Sequence, residues 1–152
     1  MMNFRSLRPY ASAVIRGDEK NPYLMGKVDF FDVQSRTLVT ARVSGLPETE
    51  SGFFGFHLHN GSSCDGAGFE NTGGHFDGGE NMHPNHWGDL PPLLYCNGEA
   101  YLSVLTDRFS PEEIIGKTVV IHGNVDDFTS QPSGNAGEKI ACAEIRCIYK
   151  NR

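Results

Sequence analysis

The run GFHLHNGSSC, residues 55–64, sets His57 and His59 two apart in an apolar frame of Phe53, Phe54, Phe56 and Leu58. Side chains two apart on a β-strand point the same way, so two imidazoles share one face of a strand whose other face is apolar. Similar runs flank it: YASAVI, LMGKVDFFDV, TLVTARVSGL, EAYLSVLTD, TVVIHGN and KIACAEIRCIY. Most alternate apolar and polar residues or are rich in Val, Ile, Phe and Tyr, and Gly, Pro, Asn and Asp separate them. One short helix is expected in SPEEIIG, with Ser110 as N-cap, Pro111 at the first helical position and Gly116 as the stop. The fold class is all-β: a Greek-key antiparallel β-sandwich or flattened barrel with two long functional loops.

The 152 residues read as one domain, 1–152, long enough to bury a core. Eighteen glycines and eight prolines fit a turn-rich β-chain. The net charge of −6 argues against a nucleic-acid partner. No apolar run approaches the roughly 18 residues of a spanning helix, so no membrane partner is expected. The N-terminal MMNFRSLRPYASAVIRG lacks an apolar segment and reads as an arm leading into the first strand rather than a signal peptide. The expected location is therefore cytoplasmic, or periplasmic or extracellular if the chain has been trimmed. The four cysteines form no CxxC pair, which excludes a zinc ribbon or a thioredoxin-type motif; free, buried thiols are the default for a cytosolic chain.

The first long loop is residues 60–92, more than 30 residues without a clear strand, and loops of that length are usually functional or disordered. It carries His75, His83, His86 and Asp89, and the second loop begins at His122. All six histidines thus lie on the HLH strand, in the first loop or at the mouth of the second. Singly each would be an ordinary histidine; together they point to metal, with imidazole suiting zinc and copper and one aspartate suiting zinc. His57, His59 and His122 alone would fit a mononuclear zinc hydrolase or hydratase with one open position. That reading leaves His75, His83, His86 and Asp89 idle. Two sites, one redox-capable and one a closed structural His3Asp zinc site, use every histidine.

The motifs GFHLH, GGHFD, HWGDLP, GKTVVIHGNVDD and GNAGEKIAC, in this order and spacing, resemble those of the copper–zinc superoxide dismutases, the bacterial branch more than the eukaryotic one. The resemblance implies an eight-stranded barrel and a superoxide dismutase with copper and zinc as cofactors. It places copper on His57, His59, His75 and His122, and zinc on His75, His83, His86 and Asp89, with His75 bridging the two. It implies that Asp126 orients His57 and His83 from outside, and that Cys64 and Cys142 form a disulfide while Cys96 and Cys147 stay free. Catalytic roles fall on His75, as carrier of a proton to the product, and on Lys139, as the cation at the copper mouth. Superoxide is the implied substrate, and a homodimer is a possible assembly. The alternative is a non-catalytic or weakly active copper/zinc-binding protein on the same fold.

The chain departs from the family pattern at three places, one of them a second loop shorter than in the eukaryotic members, which should leave the channel more open. Lys139 stands where the family has arginine, exchanging a rigid fork of donors for a mobile point charge, so anion docking should weaken. His83 and His86 are three apart, closer than in the family, so HPNH must turn tightly. The sequon Asn60-Gly61-Ser62 reads as a turn.

Overall fold

The computed structural model describes residues 8–79 and 81–149. The first seven residues of the N-terminal arm lie outside them. The described chain forms strands β1 (Ala11–Gly17), β2 (Met25–Asp32), β3 (Thr37–Ser44), β4 (Phe53–Phe54), β5 (Phe56–His59), β6 (Leu93–Leu94), β7 (Glu99–Thr106), β8 (Thr118–His122), β9 (Lys139–Glu144) and β10 (Arg146–Cys147). Neighbours in the main sheet run β5-β8-β9-β1-β2-β3-β7, with β10 beside β1, and every pairing is antiparallel. β4 and β6 pair separately. β4 continues through Gly55 into β5, and β6 turns at Cys96–Glu99 into β7. This ribbon therefore links the two ends of the main sheet and makes a flattened barrel. Between the neighbours β3 and β7 the chain leaves to build β4, β5, the long loop and β6, which is a Greek-key excursion.

Alternation along the strands sets the core. In β1, Ala11, Ala13 and Ile15 face inward while Val14 and Arg16 face out. Phe30, Phe54, Phe56, Leu58, Ile121 and Ile145 are fully enclosed. Each such side chain contributes roughly 1.5–3 kcal/mol of transfer free energy. β5 and β8 are buried at every position, because the long loops cover their outer face.

The structure corrects three local readings. The strand expected around His57 and His59, with Phe53 and Phe54 in its frame, is two strands split at Gly55, where a Cβ would meet Ala136 Cβ at 2.9 Å and His122 Cβ at 3.2 Å as the second loop crosses. The KIACAEIRCIY run breaks at Ile145, whose N–H donates to Lys117 O instead of to a neighbouring strand. SPEEIIG is a series of turns, not a helix. Glu113 does accept from Ser110 N and Oγ at 2.8 and 3.0 Å, as a capping pair should. Only three-residue backbone bonds follow, however, and so few residues before Gly116 do not nucleate a helix. Among the described residues no helix is long and apolar enough to cross a membrane.

Candidate metal centre

Register puts the first three imidazoles on one face. His57 is opposite Val120 and His59 opposite Thr118, so His122, two residues beyond Val120, shares their side of the sheet. A register shift follows: Ile121 pairs with Ala141, but His122 pairs with Lys139. The extra residue in β9, Ile140, brings Lys139 rather than an isoleucine opposite His122 and aims its side chain at the same face. The long loop returns along the free edge of β5, with bridges His59–His75 and His57–Asp89. Asn60 Nδ2 donates to His75 O at 3.1 Å and helps to fix that return.

Two sets result. One nitrogen each from His57, His59, His75 and His122 falls within a 4.8 Å cluster, and so do ligand atoms of His75, His83, His86 and Asp89. His75 belongs to both. Its Nδ1 lies 2.7 Å from Asp89 Oδ1, while its Nε2 is buried without a hydrogen-bond partner.

Surrounding acceptors settle the tautomers. His59 Nδ1 donates to Gly73 O at 2.8 Å, and His122 Nδ1 donates to Gly137 O at 3.3 Å. A carbonyl can only accept, so both Nε2 atoms carry lone pairs. These Nε2 atoms lie 3.2 Å apart and cannot bond one another. The Asp126 carboxylate accepts from His57 Nε2 at 2.7 Å and from His83 Nε2 at 2.8 Å. That leaves His57 Nδ1 and His83 Nδ1 as buried lone pairs with no partner. Converging buried lone pairs are costly unless a cation sits among them. The sets fit the metals suggested by their donors: four neutral imidazoles for copper, three imidazoles and a carboxylate for zinc.

The electrostatics agree. Burial holds His57 below the usual histidine value despite its bond to Asp126, and drives His59 down to about 2 and His122 to about 3, with neighbouring imidazoles adding to the effect. Neutral rings are the ligating form. Burial alone would raise Asp126, but bonds from His57, Phe128 N and His83 win and bring it to about 2. Gly134 closes over this carboxylate; a Cβ there would collide with Asp126 and with the His83 ring.

A cleft of about 400 Å³ opens onto His59, His75 and His122, with Ser133 and Lys139 among its lining. Lys139 Nζ donates to Thr72 Oγ1 at 2.7 Å, Gly73 O at 3.1 Å and Phe69 O at 3.5 Å. Those acceptors belong to a 3-10 turn over Ala67–Thr72 and to Gly73, which caps it. Partial burial lowers the ammonium's pKa. Cys64 and Cys142 form a disulfide with a Cα–Cα distance of 5.8 Å, tying the loop to β9. Cys96 and Cys147 are free, but exposed rather than buried. Sequence reasoning did not find Asn60, Arg108 or Gln131, whose side chains bond backbone groups of the site, or Thr72, whose hydroxyl holds Lys139.

An antiparallel barrel whose loops bring two imidazole-rich sets together around one shared ring defines a binuclear metal-binding protein. The family model for copper/zinc superoxide dismutase matches residues 24–145, and the chain belongs to that family. It is 33% identical over 132 residues to a Cu-Zn superoxide dismutase of Legionella pneumophila, covering 82% of this chain and 80% of that one. Identity to Cu-Zn superoxide dismutase 1 of Aquifex aeolicus is 30% over 157 residues, covering 93% and 89%. Identity to Cu-Zn superoxide dismutase 4 of Dictyostelium discoideum is 34% over 131 residues, covering 75% and 83%.

Proposed function

We propose that this chain is a superoxide dismutase, converting two superoxide ions and two protons into O2 and H2O2. The observation that carries the reading is His75, one ring shared between a four-imidazole set and a His3Asp set. His57, His59, His75 and His122 would hold copper; His75, His83, His86 and Asp89 would hold zinc. Copper supplies one-electron redox chemistry when bound, and zinc, which has none, supplies charge beside His75.

The chain's own groups do the rest. His75 Nε2 faces the four-imidazole set, lies beside the cleft and has no competing hydrogen-bond partner, so it can hold and release a proton there. Asp126 fixes two rings at once and keeps their other nitrogens free. Lys139 places positive charge at the rim, where a small anion must pass.

The enzyme acts as a single domain over 1–152, with superoxide as substrate and neither nucleic acid nor membrane as partner; a homodimer is one expected assembly, which light scattering tests. The disulfide suits a periplasmic or extracellular setting. One observation favours a second reading, a weakly active metal-binding protein: all three Lys139 donors point to the loop, none to the cleft. Superoxide dismutation by the reconstituted protein, with copper and zinc quantified in the same sample, decides between them. Turnover that requires copper, at about one copper and one zinc per chain, establishes the enzyme. Full copper occupancy without turnover establishes the metal-binding protein.

A further inference from the structure

The zinc ligands His83, His86 and Asp89 sit on one short turn, braced inside by His86 N donating to Asp89 Oδ2 at 2.9 Å. Its backbone bonds are Asn85 N to Met82 O at 2.7 Å and Asp89 N to His86 O at 3.2 Å. Two side chains from elsewhere in the chain hold it. Arg108 Nη1 donates to Asp89 O at 3.1 Å and to His86 O at 3.0 Å, with Pro84 O at 3.4 Å. Gln131 grips from the other side: its Nε2 donates to His83 O at 2.6 Å, and its Oε1 accepts from His83 N at 3.1 Å.

Resting on the zinc reading above, we propose that Arg108 and Gln131 are positioning residues that preform the zinc half of the site before metal arrives. Arg108 is anchored in the core. Its neighbour Phe109 is 3% exposed, packs against Phe76 and accepts from Thr37 Oγ1 at 2.7 Å. A guanidinium is charged at every working pH and makes strong bonds to carbonyl oxygens. It therefore fixes the carbonyls of two ligand residues relative to the barrel. Gln131 satisfies both backbone groups of His83, and Asp126 holds the same residue's ring at Nε2. Only His83 Nδ1 makes no hydrogen bond, lying 3.1 Å from Asp89 Oδ2 of the same set. The backbone and the ring of His83 are thus both held before metal binds, which cuts the ordering cost of binding. This answers the close spacing of His83 and His86: the tight turn is braced further by two side chains far away in sequence.

The test uses the full chain and cobalt(II) as a spectroscopic stand-in for zinc, with zinc affinity measured against a chromophoric chelator. Arg108→Met and Gln131→Ala are each expected to weaken both metals about 10–100-fold and to broaden the tetrahedral cobalt spectrum. Arg108→Lys should recover part of the loss, since an ammonium reaches fewer carbonyls. Copper affinity should stay at the parent's value. Unchanged zinc and cobalt affinity in both variants overturns the proposal. So does a parallel loss of zinc, copper and metal-free thermal stability, the mark of a merely structural role. Should Arg108→Met fail to fold, Gln131→Ala and Arg108→Lys decide. A parent chain that takes up no cobalt sinks the zinc reading itself, and this proposal with it.

Discussion

His59 and His122 present their Nε2 lone pairs to each other at 3.2 Å, each ring being locked in that tautomer by a backbone carbonyl. Without metal the pair can be relieved only by taking up a proton. Burial holds the folded-state pKa values at about 2 and about 3, below the ordinary histidine value of about 6.5. Between those limits the unfolded chain binds more protons than the folded one, so stability rises with pH through that window and falls as the solution is acidified. The metal-free protein should lose up to about 1.4 kcal/mol per pH unit for each ring as pH drops below about 6.5. Denaturant midpoints at pH 7.5 and 5 measure the loss. A flat profile would show the rings are not held neutral.

Asp126 is the carboxylate common to both sets, taking His57 Nε2 and His83 Nε2 on its two oxygens. Asp126→Asn keeps the shape but loses one acceptor and the charge. Its amide NH2 would face a ring N–H, so one ring must flip its tautomer. Affinity for both metals should fall about 10–100-fold, copper and zinc together, as competition titrations would reveal. Loss of only one metal would mean that the bridge is not shared.

Lys139 gives its three donors to Thr72, Gly73 and Phe69, so its influence on an approaching anion is that of a charge. At about 0.1 M salt the Debye length of about 10 Å isolates it from distant acids. Lys139→Arg adds donors beyond those the turn uses and should raise kcat/KM, whereas Lys139→Glu should lower it, with at least about tenfold between the two. Equal rates in stopped-flow dismutation would remove Lys139 from the mechanism.

The Cys64–Cys142 bond closes a segment with a sequence separation of 78 residues. Replacing both by serine should destabilise the chain by about 2–5 kcal/mol, read from chemical denaturation under non-reducing conditions. A change below about 0.5 kcal/mol would show that the loop is held as well by its other bonds.

The strand pair His57/His59 and the loop histidines were legible because metal ligands announce themselves by residue type and spacing. The all-β class followed from alternation and abundant turn residues. What the sequence hid acts through backbone atoms. Gln131 lies 48 residues from His83 and Arg108 lies 22 from His86, and each grips carbonyls or amides that any residue would present. The bulge that sets Lys139 opposite His122 has no signature in KIAC. Leu93–Leu94 after Pro91-Pro92 was too short to read as a strand, and SPEEIIG carried helix-start signals without enough length behind them.

The loop that returns along β5 has a second role. Leu58 N donates to Gly88 O and Leu58 O accepts from Phe76 N, so residues beside His75 and Asp89 occupy the outer edge of that strand. An uncovered strand edge is a template for joining another chain. The hydrogen bonds that present ligands on one side of the loop thus screen the sheet from self-association on the other.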